Sequence, residues 1–381
     1  MKNLRTWSSR SVLGLMAASI IVLIFLAAGP RAAFLLAVGL GFGLVLEGFR
    51  FGFAGPWRVF VTERDGRGLL AQFLAIALTV IVAFPLLSRF PGELTGAYAP
   101  VGLAMIVAAF VFGVAMQLVM GCGSGTLVNA GSGNLVSFLA LLGFIAGSFW
   151  GSLHISWWTS IGSLPTYSLQ DLLGATGGMW VTLGGLGVLS LIAMSKAEYG
   201  KRKPPPRLLW AALFLAVLSI LNLVIAGQPW GVVYGLGLWG AKLAQAGGMD
   251  VAVTGFWSSA AHAERLQQSL LTDVTSLTNI GIITGAFVVM GWRRGHQPQA
   301  VNLNLASWVV VLLAGIVLGY SARVAFGCNV GAYFSGISTG SLHGWAWFVA
   351  AFSGSIVGIK LRPLVIRPSV SVNPVLQTGI P

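Results

Sequence analysis

No Asp, Glu, Lys or Arg occurs between Leu94 and Gln170, and none between Val324 and Ile359. Uncharged stretches of that length leave a chain few options. A helix that crosses a bilayer needs about 20 consecutive apolar residues. A barrel strand needs about 10, of alternating polarity, and these runs are too long and too uniformly apolar for that. Over all 381 residues only 8% are charged and 56% are hydrophobic, where a soluble domain carries about 25% charged residues. The sequence therefore predicts an all-α, polytopic membrane protein of about 9–11 transmembrane helices, with short re-entrant half-helices between some of them.

The formal net charge is +13. Its distribution argues against a nucleic-acid surface, because the basic residues gather at the ends of apolar runs, where the positive-inside bias puts them. The strongest cluster is Lys196–Arg207, with Lys201, Arg202, Lys203 and the run Pro204-Pro205-Pro206. It marks a cytoplasmic loop and divides the chain in two. Residues 1–31 read as an extra N-terminal transmembrane helix. A signal peptide has an apolar core of about 7–15 residues, shorter than the run from Ser11 to Gly29. Residues 32–153 form a first half and 208–360 a second. A linker, 154–207, holds one span and the basic loop, and 361–381 is a cytoplasmic tail. Each half reads as span, Gly-broken stretch, spans, cysteine loop, span. A single span between two such copies inverts the second, as in many transporters. With Lys2, Lys201, Arg293 and Lys360 all cytoplasmic, some Gly-broken stretch must be re-entrant; 32–60 and 230–257 are the expected places and parity does not choose between them, and Gly247-Gly248 stands where Gly52 stands in the first half.

The chain has two cysteines, and both sit in matching contexts. Gly121-Cys122-Gly123-Ser124-Gly125 and Gly327-Cys328-Asn329-Val330-Gly331 each interrupt an apolar run. Gly113 and Gly319 precede the two cysteines at the same distance, and further Gly and Ser follow each loop. Irregular backbone at membrane depth survives only where protein buries it or where it lines a cavity. The loops 120–134 and 326–341 are therefore expected to end one half-helix and begin another. A helix N-terminus presents unpaired N–H groups that suit an anion, and a thiol adds a weak donor and a soft sulfur contact. A lone buried cysteine is usually a small apolar residue, but a pair in equivalent loops points to one site. The candidates are Cys122 and Cys328, the backbone of Gly121, Gly123, Gly125, Gly327 and Gly331, and the side chains of Ser124 and Asn329.

Other polar residues offer less. Glu47 and Asp250 lie near apolar stretches and read as interfacial acids. His154, His262, His296 and His343 show neither metal-ligand spacing nor a nucleophile beside them. The 14 tryptophans suit an interfacial belt. There is no Walker lysine, no phosphate-binding glycine loop and no catalytic triad, so no enzyme activity, cofactor or metal is expected.

The two cysteine loops, together with Phe51-Gly52-Phe53-Ala54-Gly55-Pro56-Trp57-Arg58, resemble the YeeE/YedE family of bacterial inner-membrane sulfur-compound transporters. The likeness runs from about residue 32 onward through most of the chain. The second loop carries it into Gly340-Ser341-Leu342-His343-Gly344-Trp345. The resemblance implies thiosulfate uptake into the cytoplasm by an hourglass-shaped helical protein, whose cysteines pass the anion along by thiol hydrogen bonds. Cys122 and Cys328 match two of the family's three cysteines, and the third falls at Gly52. The expected partners are a small sulfur-containing anion and the lipid bilayer. The alternative is a membrane component that transfers persulfide sulfur or a selenium compound to a cytoplasmic sulfur-carrier protein.

Overall fold

A computed structural model of the chain describes residues 2–293 and 303–366, with 2–9 described as backbone alone. His296 and most of the tail 361–381 lie outside these residues. The described chain is α-helical: α1 Lys2–Gly48, α2 Ala54–Glu63, α3 Arg67–Arg89, α4 Leu103–Leu118, α5 Gly123–Gly131, α6 Leu135–Ser160 and α7 Leu169–Lys196. There follow α8 Pro206–Ala226, α9 Val233–Ala246, α10 Ala260–Gln267, α11 Val274–Trp292, α12 Leu305–Val324, a π-helix Asn329–Phe334, α13 Ser335–Ser338 and α14 Leu342–Val365. Nine of the described segments are long and apolar enough to span a bilayer. This is a multi-pass membrane protein.

The first of those segments, Arg10–Gly48, is 39 residues long, about twice what one crossing needs. It folds back at Gly29, where φ is +85°, and Pro30 opens the second arm. Gly is suited to that backbone and Pro to a helix's first turn. The contacts with α11 define the hairpin. The Arg10 guanidinium lies 4.9 Å from the Trp292 ring centre, while Leu35 packs with Leu277 at the other end of α11. Glu47, returning on the second arm, pairs with Arg293 at 3.5 Å. The described residues thus make ten crossings.

Two stretches do not cross. Helices α2 and α9 each begin in the protein interior and run out to opposite faces. Orientation parity asked for one re-entrant stretch, and the structure has one on each face. Residues 30–48 cross fully. Their glycines, expected to break the helix, instead form its contact face, since a Cβ at Gly39 would lie 2.5 Å from the Thr278 carbonyl oxygen. The residues that precede α9 as Gly52-Phe53 precede α2 are Gly231-Val232, rather than Gly247-Gly248. The segment 154–160, expected within a loop, continues α6, and 361–365 continues α14.

Helix pairing crosses from one half of the chain to the other. Helix α4 runs parallel to α14, with Gly113 against Ala351 and Ser355, Phe110 against Gly354, and Val114 against Gly358. Helix α6 runs parallel to α12 in the same way, with Gly143 against Leu312, Gly147 against Ile316, and Gly319 against Phe144. Lipid tails are as apolar as leucine, so close backbone approach supplies much of the packing energy here. Side-chain caps close several helix starts. Asn134 accepts from the Ser137 N–H at 3.1 Å, Asp273 from Ser276 at 2.7 Å, and Asn304 from Ser307 at 2.8 Å.

One end of the bundle is strongly basic. Arg64 and Lys201 meet there through backbone bonds, with Glu198 N–H donating to the Arg64 carbonyl and Gly66 N–H to that of Lys201. Arg50, Arg67 and Arg207 share a cavity at the same end. At the opposite end Arg31, Arg89, Lys242 and Arg265 are offset by Glu93, Asp171, Asp250, Glu264 and Asp273. The positive-inside bias makes the basic end the inner one.

Candidate functional site

Both cysteine segments use one local construction. Helix α4 ends with Met120 in the left-handed region (φ +55°), and α12 ends with Phe326 there (φ +58°). Gly121 N–H then donates to Met116 O at 3.1 Å, and Gly327 N–H to Ala322 O at 2.8 Å. These are the six-to-one bonds of a Schellman turn. A Cβ at Gly121 would meet Thr126, and one at Gly327 would meet Ala332, each five residues on. The turn therefore needs glycine there, and it delivers each cysteine to the start of a new helix. Thr126 N–H donates to Cys122 O, and Ala332 N–H to Cys328 O, both at 2.8 Å. The expectation that these loops end one half-helix and begin another holds.

The two segments approach from opposite faces, and the Cys328 thiol packs beside Gly123, the residue after Cys122. A Cβ on Gly123 would stand 3.0 Å from Cys328 Sγ and 2.9 Å from a Val232 methyl. Both thiols are free, and their residues are 1% and 0% exposed. Cys122 Sγ accepts from Gly125 N–H at 3.4 Å and lies 3.3 Å from Ser124 Oγ. Beside Cys328, the Asn329 side chain is fully buried, and neither its amide nitrogen nor its oxygen has a hydrogen-bond partner. Such a group costs about 1–3 kcal/mol unless something bonds it.

The starts of α2 and α9 reach the same interior. Gln72 donates to Gly52 O at 2.9 Å and Phe53 O at 3.3 Å. Asn279 donates to Val232 O at 3.0 Å, and Ser335 to Trp230 O at 2.6 Å. Gly331 is packed against Gly231. The N-termini of α2, α5, α9 and the π-helix thus point inward from both faces. Aromatic rings close the space among them: Phe42 stacks on Trp230 at 3.8 Å, and Phe53 lies 6.1 Å from Phe334.

A cavity lies on each side of this core. The outer one, ≈ 420 Å³, is bounded by Tyr98, Trp230, Val232, Arg323, Gly327 and Gly331. The inner one, ≈ 300 Å³, is bounded by Arg50, Gly52, Pro56, Asp65, Arg67 and Arg207. Burial alone raises the pKa of Asp65, but the hydrogen bonds and charge of Arg67, with that of Lys201, outweigh it and hold the carboxyl below its ordinary value. Of the residues picked out by sequence, Cys122, Gly121, Gly123, Ser124, Gly125, Cys328, Gly327, Asn329 and Gly331 gather in the core. Gly52 stands apart from them at the inner cavity. Sequence reasoning missed Trp230, Gln72, Asn279 and Arg323. Arg323 had a visible signal, as a lone cation inside an apolar helix.

Short helices that enter from both faces, with their N-termini meeting between two cavities, are the architecture of a membrane transporter. The comparison with known families agrees, as the sulphur transport family model matches residues 49–357. The chain belongs to that family. It is 28% identical over 330 residues to the thiosulfate transporter TsuA of Spirochaeta thermophila, covering 81% of this chain and 92% of that protein. It is 25% identical over 341 residues to the TsuA of Escherichia coli K12, covering 82% and 89% respectively. A probable transporter, YedE of Escherichia coli K12, is 28% identical over 156 residues, which are 41% of this chain and only 38% of YedE.

Proposed function

We propose that the protein is an inner-membrane permease that takes a small sulfur-containing anion, thiosulfate foremost, into the cytoplasm, and that Cys122 and Cys328 form its central station. The observation that carries this reading is the packing of the Cys328 thiol beside Gly123, the residue after Cys122, with both thiols free and delivered from opposite faces between an outer and an inner cavity. Thiosulfate has a soft terminal sulfur and three oxygens. A thiol suits the former, while backbone N–H groups at helix starts and the unpartnered Asn329 amide suit the latter. The similarity to the two TsuA proteins supports the choice of substrate. Gly52, at the inner cavity, leaves the exit without a third thiol.

The halves 32–153 and 208–360 are read as inverted repeats. Matched Schellman turns, matched glycine contacts at Gly113 and Gly319, and opposed α2 and α9 support this. The persulfide-transfer alternative needs a thiol that a carrier protein can reach, and two cysteines at 1% and 0% exposure give it no footing.

The test is uptake of labelled thiosulfate into liposomes holding only the purified protein. Wild type should carry it. Cys122→Ala and Cys328→Ala, which remain folded because each loses one buried atom, should lose about 10-fold or more of the flux. Normal transport by both variants would sink the site assignment. No flux from wild type would sink the thiosulfate reading.

A further inference from the structure

The outer cavity contains a cation that the fold itself does not require. Arg323 is 8% exposed and lies on the cavity wall, one helical turn before the Cys328 segment. Among the described residues no carboxylate pairs with it. Its guanidinium lies 5.7 Å from the Tyr234 ring centre and 5.2 Å from that of Phe256. One terminal nitrogen donates to Val233 O at 3.3 Å and to Ser148 Oγ at 3.4 Å, and Nε has no partner. Gly237 makes room for it, since a Cβ there would collide with that terminal nitrogen. Asp273, at the start of α11, is already paired with Arg265 at 3.0 Å.

The other half of the chain shows what the fold needs at such a place. Gln117 precedes Cys122 by the same five residues that separate Arg323 from Cys328. Gln117 Nε2 donates to Ala54 O, near the start of α2, at 3.2 Å and to Ser355 Oγ at 2.7 Å. Arg323 makes the same pair of contacts, to the carbonyl at the start of α9 and to a serine on the partner helix. A neutral amide performs the structural task on the inner side. The positive charge on the outer side is surplus to it, and an unpaired buried charge is costly.

We propose that Arg323 is the anion-selecting residue of the outer cavity: its guanidinium binds the oxygens of a small, doubly charged oxoanion and holds the anion at the cavity floor beside Gly327 and Gly331. A guanidinium presents several N–H donors in a rigid fork that matches oxoanion geometry, and it stays charged in a site of this kind. The aromatic faces and Gly237 hold the fork in place. Cations are rejected there, and dianions are favoured over monoanions. The idea rests on the permease reading for the direction of travel only, because binding can be measured without transport.

Arg323→Gln is the decisive variant, since it installs the amide that the fold already uses at Gln117. Calorimetric titration of the detergent-solubilised full chain with thiosulfate, sulfate and chloride reads binding directly, and liposome uptake reads KM and maximal rate. Wild type is expected to bind the two dianions and to bind chloride weakly. Arg323→Gln should weaken dianion binding and raise the thiosulfate KM by about 10- to 100-fold, the usual effect of losing a charge-assisted bond, with the maximal rate held within about threefold. Arg323→Lys keeps the charge without the fork and should recover some of the affinity. If the Gln variant does not fold, Gly237→Ala displaces the guanidinium without removing it and should weaken binding in the same sense. Undiminished dianion affinity in Arg323→Gln, or in Gly237→Ala if that is the folded variant, overturns the proposal even if transport stands. If wild type carries no thiosulfate yet binds dianions through Arg323, the permease reading fails and this one survives. If wild type binds no dianion, this one fails.

Discussion

Gly113 and Gly319 offer a sharp test of how the bundle is held together. A Cβ built on Gly113 would overlap the Ala351 carbonyl oxygen and lie 2.8 Å from Ser355 N; one built on Gly319 would overlap the Phe144 carbonyl oxygen and lie 2.8 Å from its carbonyl carbon. The obstacles are backbone atoms, so no side-chain rotation relieves them. Each alanine variant must push a helix pair apart by roughly 1 Å to reach ordinary contact distance. Overpacking of this kind costs about 1–3 kcal/mol, and an obstacle of backbone puts both variants at the upper end. The better helix propensity of alanine returns up to about 1 kcal/mol. A net loss of about 2 kcal/mol is expected for each, a large fraction of a typical stability of about 5–15 kcal/mol. Gly184 of α7 is the control, since a Cβ there meets nothing within 4 Å, and Gly184→Ala should be neutral or slightly stabilising. Unfolding by SDS titration, followed by tryptophan fluorescence, measures all three. Wild-type midpoints for Gly113→Ala and Gly319→Ala, or an equal loss in Gly184→Ala, would refute the backbone-contact account.

Three further outcomes are expected. A Cβ at Gly52 has nothing within 4 Å, so Gly52→Cys should fold with wild-type stability and supply the one thiol that an impermeant maleimide labels in inside-out vesicles, while right-side-out vesicles stay unlabelled. Asp65 accepts from the N–H of Arg67 at 3.0 Å at the start of α3, and its folded-state pKa is depressed. Its contribution to stability is therefore full above the unfolded value of about 4 and lost as pH falls through the lower folded value; melting curves should weaken below about pH 4, and Asp65→Asn should flatten that dependence. Gln72 joins Gly52 and Phe53 to Trp57 and Tyr333. Gln72→Leu strands those carbonyls and should cost about 2 kcal/mol in the same SDS titration; no change would show that water replaces the amide.

The spans and both cysteine segments were legible because lipid imposes a simple rule on length and charge, and because Met120-Gly121-Cys122 and Phe326-Gly327-Cys328 repeat the same glycine logic. The re-entrant elements were legible only as the ranges 32–60 and 230–257, without their bounds and without the fact that both ranges hold one. Glycine-rich residues 30–48 and 233–246 look alike in composition, and only their partners distinguish them. Gly39 and Gly43 lie against α11 along a full crossing, while Val232 is held at depth by Asn279. Arg323, visible in sequence as a cation five residues before Cys328, was not placed in the site for a related reason. Sequence shows a cation near a helix end, but its significance depends on Gln117 making the same contacts in the other half. The Gly247-Gly248 match failed because glycine pairs recur throughout the chain, and Gly231-Val232 holds the corresponding depth.

The crossed pairing of α4 with α14 and of α6 with α12 restricts how the protein can move. Each pair joins one half of the chain to the other through backbone contacts that leave no space for sliding. Rocking of the two halves, the usual engine of alternating access, would have to break every one of those seams. On the permease reading proposed above, the bundle is a fixed frame with movable inserts, and whatever gates the passage must be small: the Trp230 and Phe53 rings, the short helices behind them, and the two thiols.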